Sequence, residues 1–308
     1  MASKNHLLID GDILLYQTTQ SCLNEADWGE TYITCWLDMG ELKYLLWTII
    51  ERWKEELKAD DYTICLSDYD RNFRKELEPT YKEQRDGSKK PIGYAQAHNW
   101  IQGVHPCAKL PGLEADDVMG ILATDGTVNN PIIVSDDKDM RQIPRRLYIP
   151  RKRETIAITH EDGYRYHMEQ TLTGDRVDNY FGCPGVGPVR AAKALAGKEP
   201  SELWDAVVGC YVAAKQNAAD ALLQARLAKI LQAEDYINDE VILWEPPVNT
   251  VVAEVRRASP SVSTQAAEQP STTRSKTKSR KQPQPSSTQS TGSFDTTPMM
   301  AKTNLRRR

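Results

Sequence analysis

Residues 7–10 read Leu7-Leu8-Ile9-Asp10, three apolar side chains closed by an acid. The pattern returns in Thr63-Ile64-Cys65-Leu66 ahead of Asp68 and in Ile132-Ile133-Val134 ahead of Asp137. Short apolar runs rich in β-branched residues predict buried strands. Between the first two runs, Leu42, Leu45, Leu46, Ile49, Ile50, Trp53 and Leu57 recur at spacings of three and four, which predicts an amphipathic helix from Asp38 to Lys58. A second helix is expected from Glu114, with Val118, Ile121 and Leu122 inward, ahead of the strand at residues 131–134. Strand, helix, strand, helix, strand predicts a doubly wound α/β fold with a parallel sheet. Ligands of such sheets gather outside the carboxyl ends of the strands, so Asp10, Asp68 and Asp137 are expected at one mouth.

Six further acids fit the same site: Glu114, Asp116, Asp117, Asp139, Asp175 and Asp178. Carboxylates packed together raise one another's pKa unless cations neutralise them. Oxygen-only ligands select hard divalent ions, Mg²⁺ or Mn²⁺, and the expected chemistry is two-metal phosphodiester hydrolysis on nucleic acid. Each motif also has an ordinary structural reading. Acids in the first turn of a helix are favoured by its dipole, which covers Leu113-Glu114-Ala115-Asp116-Asp117. Asp is a common N-cap, which covers Ser135-Asp136-Asp137-Lys138-Asp139, and spacing alone leaves Asp136 and Asp137 as alternative ligands. Asp175 and Asp178, three apart, would share one helical face.

Two segments carry cationic or backbone donors. Residues 69–106 mix Arg71, Arg74, Lys75, Lys82, Arg85, Lys89 and Lys90 with Phe73 and Tyr81, a composition suited to a single nucleic-acid strand and equally to a solvated surface. Gly182-Cys183-Pro184-Gly185-Val186-Gly187-Pro188 can expose N–H groups at a helix start as an anion cradle, with Arg190 and Lys193 near, or can serve as a tight turn between helices.

The chain has 308 residues and a net charge of −4. From Arg256 onward eleven Lys and Arg face only Glu268 and Asp295, a charge of +9, which leaves −13 on residues 1–255. That tail is rich in Ser, Thr, Gln and Pro and predicts disorder over 255–308; it would tether nucleic acid or serve only as a soluble extension. The acidic body is a poor global match to DNA or RNA, which prefer basic surfaces, and the nine carboxylates account for most of its excess. Six cysteines without paired spacing, and no run near the ~18 apolar residues of a membrane span, predict a soluble protein of a reducing cytoplasm.

These motifs stand in an order that resembles the 5′-nuclease superfamily of flap endonucleases and 5′→3′ exonucleases. The motifs are Ile9-Asp10-Gly11-Asp12, Asp68 with Phe73-Arg74, Tyr81-Lys82 with Arg85, Glu114-Ala115-Asp116-Asp117, Ser135 to Asp139, and Gly174-Asp175 with Asp178-Asn179 ahead of Pro184-Gly185-Val186-Gly187. Lys89-Lys90-Pro91-Ile92-Gly93-Tyr94 and the 227–246 stretch are most similar to exonucleases of T-seven-type phages. The resemblance implies a nuclease core over 1–170 with an arch at 69–106, and a helical duplex-binding region of helix–turn–helix type over 171–250. It implies Asp10, Asp68, Glu114 and Asp116 at a first metal, and Asp117, Asp137, Asp139, Asp175 and Asp178 forming or supporting a second. Lys82 and Arg85 would touch the scissile phosphate. Arg71, Arg74 and Tyr81 would grip the substrate, and Gly185, Gly187, Arg190 and Lys193 would hold the duplex, with K⁺ at the 182–187 turn. The implied activity is 5′→3′ exonucleolytic cleavage of duplex DNA and of RNA in hybrids, with flap cleavage or single-strand RNA cleavage as alternatives. Asp136 and Tyr180-Phe181 depart from the family pattern.

Overall fold

The computed structural model describes residues 4–29, 32–85 and 89–247; the expected disordered tail lies outside them. The first half of the chain builds β1 (Asn5–Asp10), α1 (Gly11–Ser21), β2 (Leu23–Asp27), β3 (Ile33–Leu37), α2 (Met39–Leu57), β4 (Ala59–Cys65), α3 (Phe73–Leu77), α4 (Tyr94–Val104), β5 (Cys107–Ala108) and α5 (Ala115–Thr124). The second half adds β6 (Pro131–Val134), β7 (Arg146–Ile149), β8 (Glu154–Ala157), α6 (His160–Thr173), α7 (Pro188–Leu195), α8 (Pro200–Ala213), α9 (Ala218–Ala228), β9 (Tyr236–Ile237) and β10 (Glu240–Val241).

The central sheet runs β5-β4-β1-β6-β7-β8 and is parallel except for β8, which returns antiparallel along β7. All three predicted strands are present and adjacent: Ile9 pairs with Ile64 on one side and Val134 on the other. Their carboxyl ends are therefore level. The chain leaves β1 first toward β4 and later toward β6, so β1 is the topological switch point, where such sheets open a crevice.

Alternation along β1 separates two cores. Leu7 and Ile9 face α1, α2 and α4 with Leu42, Leu46, Ile50, Trp53 and Ile101. Leu8 faces α5 with Val118, Ile121, Ile133 and Ile230. The predicted α2 is bounded as expected: Asp38 caps Gly40 and Glu41, and Lys58 closes the helix at φ 51°. Gly11 lets α1 cross the sheet closely, because a Cβ there would lie 2.6 Å from the carbonyl of Cys65. A third core joins α6 to α7, α8 and α9 through Met168, Leu172, Leu203, Val207 and Ala225.

Two expectations change. Residues 174–187 are not helical. Gly174 and Gly182, at φ 63° and 64°, cross so closely that a Cβ on either would meet the other's backbone 2.4 Å away. Asp175 and Tyr180 exchange both backbone hydrogen bonds, at 2.7 and 3.1 Å, so Asp175 and Asp178 sit on a closed turn and not on a helical face. The hairpin β2–β3 and the pair β7–β8 are also new, since their sequences alternate weakly.

Candidate active site

Asp10 ends β1 and caps α1. It accepts from the Ile13 amide at 3.0 Å and from the Ser135 hydroxyl at 2.8 Å. Burial, with Asp12 and Asp137 nearby, pushes its carboxyl up to about 7 against those two hydrogen bonds. Asp116, in the first turn of α5, is raised well above the carboxylate range by burial and by Asp137 and Asp10. Asp139 accepts from Gln170 at 2.5 Å and is pushed up to about 7 by burial and by Asp137, Asp178 and Asp175. Asp137 caps the turn that follows β6 by accepting from the Asp139 amide at 2.9 Å. Asp136 points elsewhere and pairs with Arg151 at 3.2 Å. Asp137 is thus the acid of that pair which acts on Asp10 and Asp116.

The other five acids each have a cation. Asp68 holds Lys109 at 3.0 Å and the Gly112 amide at 2.8 Å, and that amide above all keeps its carboxyl low. Asp175 holds Lys138 at 2.6 Å. Glu114, the N-cap of α5, is half-buried, yet Lys82 and Arg74 hold it down at about 2. Asp178 accepts from Arg85 at 2.5 Å and lies 3.5 Å from Lys82; burial nevertheless raises it. Lys82 itself sits at φ 56°, hydrogen-bonds Glu114 and donates its backbone amide to the Asp178 carbonyl at 2.9 Å.

Asp117 and Arg74 are corrections. Asp117 is fully buried and both its oxygens accept from the Arg74 guanidinium, at 2.7 and 2.8 Å, so it has no face left for an ion. Arg74 is 1% exposed and also donates to the carbonyls of Leu227 and Lys229, so it cannot grip a substrate. Tyr81 is buried as well, with its hydroxyl on Glu114 at 3.1 Å. Arg71 is exposed and pairs with Glu76 at 2.8 Å. In the glycine turn, Gly185 stands at φ 76° and its carbonyl accepts from Arg190 at 2.7 Å, while Gly187 and Pro188 start α7 with Arg190 and Lys193 exposed.

Among the described residues, no three His, Cys, Asp or Glu side chains are arranged to hold an ion as they stand. Asp10, Asp116, Asp137 and Asp139 still form a cation-poor, mutually repelling group beside the cation-paired one. Sequence reasoning passed over Ser135, Gln170, Lys109 and Lys138, the immediate partners of these acids. Only Lys138 was signalled, by its place between Asp137 and Asp139.

An acidic mouth at the switch point of a mainly parallel sheet, with lysine and arginine at its rim, is the layout of a phosphodiester-cleaving enzyme. Residues 5–169 match the family described as 5′-3′ exonuclease, N-terminal resolvase-like domain, and the chain belongs to that family. It is a 5′–3′ exonuclease. It is 29% identical to the exodeoxyribonuclease of Enterobacteria phage T3 over 286 residues, covering 79% of this chain and 93% of that protein. The exonuclease of Escherichia phage T7 is 29% identical over 282 residues, covering 79% and 94%. The fold is similar to the T5 D15 protein co-crystallised with metal ions, at TM-score 0.51 and 15% identity, over 74% of this chain and 90% of that one.

Proposed function

We propose that this exonuclease hydrolyses phosphodiester bonds at the 5′ ends of duplex DNA, and of RNA strands in hybrids, with two divalent ions, Mg²⁺ or Mn²⁺. The observation that carries the reading is the group Asp10, Asp116, Asp137 and Asp139, two of them buried and two half-buried, which repel one another and have no ion pair of their own among the described residues. Oxygen donors of this kind fit hard divalent ions. When bound, the ions would supply an activated water and stabilise charge on the phosphate.

The protein's own residues set the rest. Asp68, Glu114, Asp175 and Asp178 line the same mouth and support the ions, with Lys109, Lys82, Lys138 and Arg85 as their present counter-charges. Lys82 and Arg85 lie at the rim and would meet the scissile phosphate, whose growing charge they oppose. No side-chain nucleophile is required. The N–H groups of Gly185 and Gly187, with Arg190 and Lys193, would hold the duplex backbone at the start of α7. K⁺ at the 182–187 turn would take backbone carbonyl oxygens there, of which that of Gly185 also accepts from Arg190 at 2.7 Å.

The test is a duplex labelled at its 5′ ends, incubated with Mg²⁺ or EDTA beside the Asp116→Asn variant. Short labelled products that need the metal and are absent with the variant support the reading. Binding without cleavage in any divalent metal, or cleavage of single-stranded RNA alone, overturns it.

A further inference from the structure

Most cations around the mouth are held by carboxylates: Arg71 by Glu76, Lys82 by Glu114, Lys109 by Asp68 and Lys138 by Asp175. Lys90 is held differently. Its ammonium lies 3.2 Å from the centre of the Tyr69 ring and 4.4 Å from that of Tyr94. No carboxylate among the described residues lies within ion-pair distance of it. The aromatic faces attract the charge without neutralising it, as a carboxylate would.

The two rings are themselves fixed. The Tyr69 hydroxyl donates to Asp12 at 2.8 Å and meets the Tyr94 hydroxyl at 2.9 Å. Tyr94 is buried at the start of α4, whereas Tyr69 is 48% exposed directly after Asp68. His98 packs on the Tyr69 ring at 5.3 Å. Asp12 lies in the first turn of α1, close enough to raise the Asp10 carboxyl. Hydrogen bonds and rings therefore lead from Asp12, the acid whose charge acts on Asp10, to the ammonium of Lys90.

A site crowded with carboxylates repels a phosphate strand, and an unpaired cation at its edge counters that repulsion. We propose that Lys90 is a positioning residue that binds a non-bridging phosphate oxygen of the substrate strand next to the scissile bond, with Tyr69 and Tyr94 as the shelf that aims it. Lys90 does not touch the reacting atoms. The proposal rests on the nucleic-acid reading above.

The experiment compares wild type with Lys90→Met and Lys90→Arg on 5′-labelled duplexes. Lys90→Met keeps the alkyl stem and loses the charge. KM should rise about tenfold with kcat within about twofold, because a contact shared by ground and transition states is lost. In EDTA, the slope of log affinity against log salt should shrink by about 0.9, the signature of one lost phosphate contact. Lys90→Arg should restore both. A duplex series with a single methylphosphonate at successive positions should contain one linkage that weakens wild type and leaves Lys90→Met unaffected. An unchanged KM and salt slope, or a loss confined to kcat, overturns the role of Lys90. Failure of wild type to cleave any 5′-ended duplex would instead overturn the functional reading beneath it.

Discussion

Arg74 and Asp117 form a two-pronged ion pair, at 2.7 and 2.8 Å, inside the protein and away from solvent. The pair joins α3 to the first turn of α5. Through the Leu227 and Lys229 carbonyls it also reaches the end of α9, so three distant segments meet on one guanidinium. Leaving one charge of such a pair behind costs about 3–5 kcal/mol, and Arg74→Ala or Asp117→Ala should lose that much in urea unfolding. Arg71→Ala, on the exposed pair with Glu76, should leave the midpoint where it is. Equal midpoints for Arg74→Ala and wild type would contradict the keystone role.

The uncompensated acids make the opposite prediction. Asp116→Asn or Asp10→Asn should stabilise the metal-free protein by an amount of order 1 kcal/mol, since repulsion among buried carboxylates falls. The same changes should remove the rise in melting temperature that Mg²⁺ gives wild type, because ligand stabilisation follows binding to the native state. Calorimetry with and without Mg²⁺ checks both signs. A variant less stable than wild type in EDTA and still stabilised by Mg²⁺ would argue that these acids serve structure only.

Lys82→Ala should lower kcat on 5′-labelled duplex by about 10²-fold or more with a smaller change in KM, as for loss of a group aimed at developing charge. Single-turnover cleavage set against binding in EDTA separates the two. A defect in affinity alone would place Lys82 away from the scissile phosphate.

His167 gives a pH signature remote from the acids. It is buried under Trp244, donates to the Ala225 carbonyl at 2.8 Å, and burial with Lys229 nearby lowers its pKa from 6.5 to about 3. The folded protein keeps this ring neutral while the unfolded chain takes up a proton below 6.5. Its contribution is therefore complete above that pH and drains away as pH falls toward 3. Between pH 7 and pH 5 the loss should be about 2 kcal/mol. His167→Gln should flatten this part of the stability–pH curve, as read by urea titrations at each pH. A curve of unchanged slope would show that the ring protonates in place.

What could be read ahead of the structure follows from range. Asp10, Asp68 and Asp137 were legible because each directly follows an apolar run, and α2 was legible because one face repeats over 19 residues. Arg74 was misread because its partners lie 43 and 153 positions away, and a basic residue among basic neighbours looks solvated. Asp175 and Asp178 misled because a spacing of three suits a helix face and a closed turn alike; only the paired backbones of Asp175 and Tyr180 decide between them. Asp136 is drawn off to Arg151, a partner that no local pattern announces.

The stitch between residues 80–85 and 178–179 has a mechanical meaning. The Lys82 amide is bonded to the Asp178 carbonyl, the Asn179 side chain to the Thr80 carbonyl, and Gln84 to Asn179. The turn that carries Asp178 closes on α6 at Gly174 and opens toward α7 at Gly187. The backbone of Lys82 and the start of α7 are thus tied to one and the same closed turn of chain between Gly174 and Gly187.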